Sequence, residues 1–293
     1  MDERGSVIYI SAVGHCGSTL LSRLLGAHPK VRSIGSIKGL ERREQVEAIR
    51  CSCGKHLGEC GEWSGALQCY REEADGKMRF VQGDSPKQLV VNTRCLFEQI
   101  RRESGVSHIC ELTHFQSRPL MYARQGMENL VVVHLIRDPR ARAYRSDNIR
   151  GALAALKRLY AHGLRMLMIR YYALTRRDVA YILLRYEDLC WEPDESVKRV
   201  HALAGLEAVD LPFTEAGLVD EPHIIGGNRM KNEPIGAIRV SLSCLDGASR
   251  GWWLLITVLS LPLLALYRYP LRRNSLSRKY RATSMKEGFN SDS

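Results

Sequence analysis

Residues 12–19 read AVGHCGST, a glycine-containing turn that joins an apolar run to a leucine-rich segment. The apolar run at 7–13 predicts a strand, and the leucines of 18–26 recur at helical spacing. A turn of this kind directs several backbone amides at one point in front of a helix N-terminus, which creates an anion site. The sequence therefore predicts phosphate binding at this loop. A plain turn with glycines for tight packing is the alternative.

The loop departs from the phosphate-binding loop of kinases and nucleoside triphosphatases. That loop reads GxxxxGK[ST], whereas here Ala12 replaces the first glycine and Ser18 replaces the lysine. A kinase needs the lysine and an acidic residue that holds Mg²⁺, and neither is evident. A P-loop kinase is therefore the less favoured interpretation, and nucleotide binding without magnesium would count against it.

A second phosphate motif reads LIRDPR at 135–140, just after the most apolar stretch of the chain. Ligands of open α/β sheets bind beyond the carboxyl ends of strands, where the fixed fork of Arg137 suits a phosphate group. The helix predicted to follow carries more basic residues, which a solvated basic face would also explain. They are Arg142, Arg145, Arg150, Lys157 and Arg158.

Strand and helix patterns alternate along the chain. Further strands are predicted over 107–111, 130–136 and 179–184, and further helices over 89–104, 141–177 and 195–204. This alternation predicts an α/β fold with three layers, α/β/α, around a central, mostly parallel sheet. A polar stretch rich in glycine and cysteine, 38–83, predicts a variable insertion of short helices and loops within a single domain over 1–271.

Taken together, the two motifs resemble those of the sulfotransferases that use 3′-phosphoadenosine 5′-phosphosulfate (PAPS), in particular bacterial-type members. The segments GHCGSTLLSRLLGAHPKV and LIRDPRARAYRS carry the resemblance, and LLRYEDLCWEP and GGNRMK follow in the family's order. The resemblance implies a P-loop-like sulfotransferase fold. It also implies transfer of a sulfuryl group from PAPS to a hydroxyl or amine of an acceptor, a reaction that requires no metal.

The resemblance implies a role for each matching residue. The first loop wraps the 5′-phosphosulfate, Arg137 binds the 3′-phosphate, Tyr186 lies near the adenine, and the loop at 226–229 closes over the nucleotide. The implied cofactor-binding residues are Gly14, His15, Cys16, Gly17, Ser18, Thr19, Arg137, Tyr186, Gly227, Asn228 and Arg229. His15 stands where many relatives carry lysine or arginine, so its protonated form is predicted to stabilise the leaving group and to make the rate sensitive to pH.

Two positions depart from the family pattern. Eight residues after the motif arginine, relatives usually carry a serine; here Arg145 stands there and Ser146 follows, so either is predicted to contact the 3′-phosphate. Ser36 occupies a position where relatives commonly have a glutamate that serves as catalytic base. Another base is then needed, and Glu111 or His114 could take the acceptor proton. A glutamate at a strand end is, however, more often a structural hydrogen-bonding residue.

Several cysteines lie close together in the sequence of the insertion. The candidate metal ligands are the cysteines of CSCG at 51–54 and Cys60, with His56 or Cys69 as further candidates. They lack the two regularly spaced cysteine pairs of a zinc ribbon. A structural zinc at Cys51, Cys53 and Cys60 is one interpretation. A reduced loop that shapes the acceptor site is favoured, so no metal site is predicted.

The C-terminal region begins with an uncharged, leucine-rich stretch. A hydrophobic helix is predicted over 251–269, buried against the sheet, because the stretch is short for a bilayer and contains Pro262. A membrane-seated segment is the alternative. Residues 272–293 are basic and then polar, which predicts a disordered tail that touches anionic lipid.

The amino-acid composition limits the kinds of binding partner and the cellular compartment that are expected. The net charge of +11 favours an anionic partner such as a nucleotide, and the motifs give no support to nucleic acid. Nine cysteines form no disulfide framework, and residues 1–5 lack a secretory signal, so a cytoplasmic protein is expected.

The sequence leaves two functional questions open. The acceptor could be a carbohydrate, a lipid or a small alcohol, because no rule relates the sequence of the insertion to the acceptor. The departures at Ser36 and Arg145 also allow a non-catalytic nucleotide-binding or membrane-associated protein on the same fold. The oligomeric state cannot be predicted.

Overall fold

The computed structural model describes residues 5–42, 46–73, 85–113, 117–127, 129–144, 148–240 and 249–271. Within them, five strands form one sheet in the order β2-β3-β1-β4-β5, and all four neighbouring pairs are parallel. The strands are β1 (Val7–Ala12), β2 (Val31–Gly35), β3 (His108–Glu111), β4 (Leu130–Ile136) and β5 (Val179–Arg185). The predicted α/β fold with a mostly parallel central sheet is confirmed.

Helices flank this sheet and connect its strands. They are α1 (Ser18–Gly26), α2 (Ser64–Glu73), α3 (Pro86–Ser104), α4 (Arg118–Arg124), α5 (Pro139–Tyr144), α6 (Ile149–Thr175), α7 (Tyr186–Trp191), α8 (Pro193–Leu203) and α9 (Arg250–Leu266). Short 3₁₀ turns cover Ile37–Arg42, Val46–Ala48 and Arg229–Lys231. A separate two-stranded antiparallel ribbon consists of β6 (Phe213–Thr214) and β7 (Gly217–Leu218).

The two faces of the sheet bury separate apolar clusters. Side chains of a strand alternate between faces, so in β1 Ile8 and Ile10 point into one cluster and Val7 and Tyr9 into the other. Every residue of β4 is buried, as expected of a central parallel strand covered on both sides. Because β1 and β4 are adjacent, the loops that follow them, 13–17 and 137–138, meet at one edge of the sheet.

The structure divides the helix predicted over 141–177 into α5 and α6. Asn148 has an extended backbone, and its side chain accepts a hydrogen bond from the Gly151 amide at 2.9 Å. This cap starts a new helix, which the continuous apolar pattern did not reveal. Strand β2 was also not predicted, because its sequence VRSIG is short and lacks an alternating or continuous apolar pattern.

The predicted C-terminal helix is present as α9, but only one face of it is buried. That face packs on α5 and α6 and contains Ile256, Leu263 and Leu264, which join the core cluster on that side of the sheet. The opposite face exposes Leu254, Leu255, Val258 and Leu261. Among the described residues, no helix combines the length and apolarity that crossing a bilayer requires. The predicted tail, 272–293, lies outside the described residues.

Candidate active site

The loop between β1 and α1 has the backbone shape of an anion-binding turn. His15 and Gly17 both adopt positive φ angles, 68° and 86°, and Gly17 caps the N-terminus of α1. No acidic residue lies in the first turn of this helix, so its amides face no competing carboxylate there. Cys16 between them is buried, and burial raises the pKa of its thiol to about 12. The thiol therefore stays neutral and contributes shape rather than nucleophilic chemistry.

Arg137, Tyr186 and the loop are in direct contact. Arg137 donates from Nη1 to the His15 carbonyl at 3.3 Å, and its guanidinium carbon lies 4.5 Å from the centroid of the Tyr186 ring. A Cβ atom on Gly17 would lie 2.5 Å from Cδ2 of that ring. The absence of a side chain at position 17 therefore lets the aromatic ring pack on the loop. A cation, an aromatic face and backbone amides meet here, which is the chemistry that a nucleotide phosphate requires.

The glycines of 226–227 bring a distant segment to the same loop. A Cβ atom on Gly227 would lie 3.5 Å from Oγ1 of Thr19, and one on Gly226 would lie 3.0 Å from Cβ of Ser36. Asn228 caps the following 3₁₀ turn by accepting from the Met230 amide at 3.0 Å, and Arg229 is exposed. The structure thus brings the C-terminal glycine loop against the first residues of α1.

Arg23 holds this segment in place, a role that no sequence motif predicted. From α1 it donates Nε and Nη2 to the Asp220 carboxylate at 2.7 and 2.5 Å, and its Nη1 donates to the carbonyls of Met230 and Glu233. Both side chains of the ion pair are nearly buried. The partner lies almost 200 residues away in sequence, so no local spacing could have predicted the pair.

The RDPR motif also fixes the chain that follows α9. Asp138 accepts from Arg140 at 2.7 Å, and Arg140 donates to the carbonyls of Pro270 and Leu271 at 2.9 and 3.2 Å. Arg140 therefore has a structural role in the motif, whereas Arg137 contacts the loop between β1 and α1.

Below this motif lies a second buried carboxyl. Glu187 accepts from the Asp138 amide at 3.0 Å and from Tyr269 Oη at 2.7 Å. Burial, with the nearby charge of Asp138, raises the pKa of Glu187 to about 7. Tyr269 thus adds a C-terminal contact to the start of α7, directly after Tyr186.

Glu111, a predicted base, occupies a fully buried position at the end of β3. Its Oε2 accepts from Tyr122 Oη at 2.9 Å, and Arg118 Nη1 lies 3.8 Å from Oε1. Burial raises the pKa of Glu111 to about 7, against the lowering effect of hydrogen bonds from Thr113 and Tyr122. Glu111 thus lies with α4 rather than in the contacts between Arg137, Tyr186 and the loop. The other predicted base, His114, and the two predicted 3′-phosphate contacts, Arg145 and Ser146, lie outside the described residues.

The cysteines of the insertion meet a histidine that the sequence did not connect to them. One ligand atom each from Cys51, Cys53, Cys60 and His223 lies within 4.8 Å of all the others. His223 immediately precedes the segment that leads to Gly226, more than 160 residues beyond Cys60. The candidate His56 instead contacts the Ala48 carbonyl at 3.0 Å, and Cys69 is not among the residues whose side chains are described.

Comparison with protein families gives one match that covers most of the chain. The model described as "Sulfotransferase family" matches residues 8–210, which include the first loop, the RDPR motif and α7. A comparison with curated proteins finds no match.

Solved structures share the fold over nearly the whole chain. The sulfotransferase domain from the curacin biosynthetic pathway aligns with a TM-score of 0.54 at 14% identity and covers 92% of this chain and 99% of its own. The sulfotransferase domain of the Synechococcus PCC 7002 olefin synthase aligns with a TM-score of 0.55 at 17% identity, and covers 93% of this chain and 98% of its own. At these identities the likeness concerns the fold.

Proposed function

The chain belongs to the sulfotransferase family, and on that premise we propose that it transfers a sulfuryl group from PAPS to a hydroxyl or amine of an acceptor. One observation carries the proposal: Arg137 lies against both the Tyr186 ring and the His15 carbonyl. A nucleotide with its phosphate on Arg137 can therefore also reach the loop amides. Tyr186 then lies beside the adenine, and Gly227, Asn228 and Arg229 lie over the nucleotide. Arg145 or Ser146 supplies a further contact to the 3′-phosphate.

The reaction we propose is an in-line displacement at sulfur. The acceptor oxygen or nitrogen forms a bond to sulfur while the bond from sulfur to the bridging phosphate oxygen breaks. The departing oxygen keeps the electron pair, leaving adenosine 3′,5′-bisphosphate. Amides of residues 14–19 and protonated His15 stabilise the negative charge on that oxygen. The acceptor proton passes to a base, and the charges balance without a metal ion.

Glu111 is the proposed base, and His114 is the alternative. Of the two, Glu111 is the one whose surroundings the structure describes. Its raised pKa, about 7, suits a group that must accept a proton near neutral pH. Its carboxylate is fully buried, so it serves only if the bound acceptor, or one water molecule, reaches it. This burial favours one rival function, a protein that binds the nucleotide without transferring sulfate.

The first test is calorimetric titration of the purified protein with adenosine 3′,5′-bisphosphate, without added magnesium. We expect micromolar binding that Arg137→Ala weakens by roughly 10–100-fold, because a charge-assisted contact is lost. The matched control is Arg150→Ala, an exposed arginine on α6, which should bind like the wild type. A folded protein that binds no nucleotide, or only with magnesium, would overturn the proposal and in the second case favour a kinase.

Transfer itself is tested with labelled PAPS. Incubation with panels of carbohydrate, lipid and small-alcohol acceptors should move the label to one class, which also identifies the acceptor. Binding of the bisphosphate with no transfer to any class would support the non-catalytic alternative. Both experiments use the full chain.

We further propose a cytoplasmic location with peripheral membrane contact through the C-terminal segment. No disulfide links the seven cysteines whose side chains are described, which suits a reducing compartment. The exposed face of α9 carries large apolar side chains, and Leu254 is 64% exposed. Together with the net charge of +11, this face suits an anionic bilayer surface.

A further inference from the structure

The side chains of Cys51, Cys53, Cys60 and His223 are close enough together to share one metal ion, since one ligand atom from each lies within 4.8 Å of the other three. The Cys60 and Cys51 sulfurs lie 3.2 and 3.8 Å from Nδ1 of His223, and the Cys53 and Cys60 sulfurs lie 3.7 Å apart. In a tetrahedral zinc site with bonds of about 2.3 Å to sulfur and about 2.0 Å to nitrogen, sulfur atoms are about 3.8 Å apart and sulfur and nitrogen about 3.5 Å. These three separations match the edges within a few tenths of an ångström, and the other three pairs lie within 4.8 Å.

Backbone hydrogen bonds hold the three thiols in this arrangement. The Cys51 amide donates to the Lys55 carbonyl at 2.9 Å, and the Gly54 amide donates to the Cys51 carbonyl at 3.1 Å, closing a tight turn around Cys53. Gly54 has a φ of 87°, the left-handed conformation that glycine adopts without strain. Cys60 lies just before α2, and the amides of Trp63 and Ser64 donate to its carbonyl.

The histidine comes from a different part of the chain and has its own supports. Trp63 Nε1 donates to the His223 carbonyl at 2.9 Å. On either side of His223, Ser52 Oγ donates to the Pro222 carbonyl at 2.5 Å and accepts from the Ile224 amide at 2.8 Å. These contacts hold the backbone on both sides of His223 and do not involve its ring nitrogens.

We propose that Cys51, Cys53, Cys60 and His223 bind one structural zinc ion. Four protein ligands fill a tetrahedral site and leave no position for water or substrate, so the ion is structural rather than catalytic. Zinc can enter from a cleft of about 400 Å³ that Cys53, His223 and Lys231 help to line. The site goes beyond the transfer reaction and does not depend on it.

The zinc would fasten the insertion to the loop that covers the nucleotide site. Two residues after His223, Ile225 pairs with the end of β2: its amide donates to the Ile34 carbonyl at 3.0 Å, and its carbonyl accepts from the Ser36 amide at 2.7 Å. Gly226 and Gly227 follow directly. The ion would therefore crosslink residues 51–60 to the segment that leads to Gly227, which lies against Thr19 in the first turn of α1.

The test begins with the wild-type protein, purified under reducing conditions without chelator. Elemental analysis should find one zinc per chain. Replacement by Co²⁺ should give the charge-transfer and intense visible bands of a tetrahedral site rich in thiolates. His223→Ala should weaken zinc binding by more than the roughly 10–100-fold that follows loss of an outer-shell partner. His223→Cys should restore the metal as a four-cysteine site, and Cys95→Ser, which changes a thiol outside the cluster, should keep one zinc per chain.

Three outcomes would overturn the proposal. The wild-type protein could contain no zinc and give no tetrahedral cobalt spectrum. Peptide mapping could find a disulfide between Cys53 and Cys60 in the purified protein instead of two thiols. His223→Ala could also retain zinc with unchanged affinity. The wild-type measurements decide the matter even if a ligand variant does not fold, and hydrogen exchange of residues 221–229 with and without metal tests the crosslink directly.

Discussion

At the scale of single residues, position 17 has no room for a side chain. Gly17 has a φ of 86°, and a Cβ atom there would overlap the Tyr186 ring. Gly17→Ala should therefore lower the free energy of unfolding by at least about 1 kcal/mol, since an L-residue pays that much in the left-handed region. It should also weaken nucleotide binding, because the ring must move away from the loop.

The matched control for this prediction is Gly14→Ala in the same loop. A Cβ atom on Gly14 has nothing within 4 Å, and Gly14 is not among the glycines with positive φ. Urea denaturation of both variants provides the measurement of stability, and calorimetric titration is applied to Gly17→Ala. Equal effects of the two substitutions on stability would contradict the role assigned to the contact between Gly17 and Tyr186.

A second prediction at this scale concerns the pH dependence of the rate. The pKa of Glu111 is raised to about 7, and only the deprotonated carboxylate accepts a proton. If Glu111 is the base, kcat/KM rises with pH along a limb that ends near pH 7, and loss of the His15 proton at higher pH adds a separate descending limb. Glu111→Gln should lower kcat by roughly 10²–10⁴-fold and remove this ascending limb.

The control for Glu111→Gln is nucleotide affinity, which should stay near that of the wild type. If the ascending limb persists in the variant, Glu111 is a structural residue and another group, such as His114, is the base. A fall in thermal stability with an unchanged pH profile would point the same way, since Glu111 also accepts the Tyr122 hydrogen bond.

Single residues were predicted from sequence where they belong to a local motif. The loop at 14–19 and Arg137 could be proposed as site residues because a glycine-containing turn and an arginine at a strand end are each recognisable within a few neighbouring positions. His223 and Arg23 were missed for the opposite reason. Each acts through a partner more than 160 positions away, which spacing along the chain cannot reveal.

At the scale of elements, one ion pair connects α1 to the loop that follows β7. Arg23 and Asp220 are nearly buried, and Arg23 also binds two carbonyls of that loop. Asp220→Asn should lower the free energy of unfolding by roughly 3 kcal/mol, because a buried guanidinium loses its charge partner. Hydrogen exchange at 220–233 should increase, and nucleotide affinity should fall.

The comparison for this pair is Lys198→Ala on α8. Lys198 forms an ion pair with Asp210 at the surface, where water screens the charges. We expect no measurable change in Tm or in exchange at 220–233. If Asp220→Asn behaves like Lys198→Ala, the buried pair does not hold the loop.

The elements themselves were predicted unevenly. Apolar periodicity predicted strands β1, β4 and β5 and helices α1, α3 and α8. In each of them the buried residues recur at the spacing of that type of secondary structure. Strand β2 lies at the sheet edge and contains a charged residue and a serine, so no such pattern marks it. The short helices α4 and α7 are held by tertiary contacts, which a local pattern does not contain.

At the scale of the whole molecule, an apolar face and a positive charge suggest attachment to membranes. Flotation should show that the protein binds vesicles containing an anionic lipid better than neutral vesicles, and less well at high salt. The double variant Leu254→Asp and Val258→Asp should lose most of this binding, because it places two charges on the exposed face of α9.

Val91→Asp is the control, an exposed apolar position on α3, and it should float like the wild type. Truncation before Arg272 separates the tail from the helix: unchanged flotation assigns the contact to α9 alone. Equal binding to neutral and anionic vesicles would contradict an electrostatic contribution, and no binding to either would contradict membrane contact altogether.

The contacts of the RDPR motif with residues 269–271 have a consequence for how the protein is made. Arg140 and Glu187 complete their hydrogen bonds with Leu271, Pro270 and Tyr269. During translation, the first loop and the strands of the sheet leave the ribosome well before residues 269–271 are synthesised. The growing polypeptide therefore carries the RDPR motif while the Arg140 guanidinium still lacks those partners. We expect the proposed nucleotide site to reach its final form only late in the synthesis of each molecule.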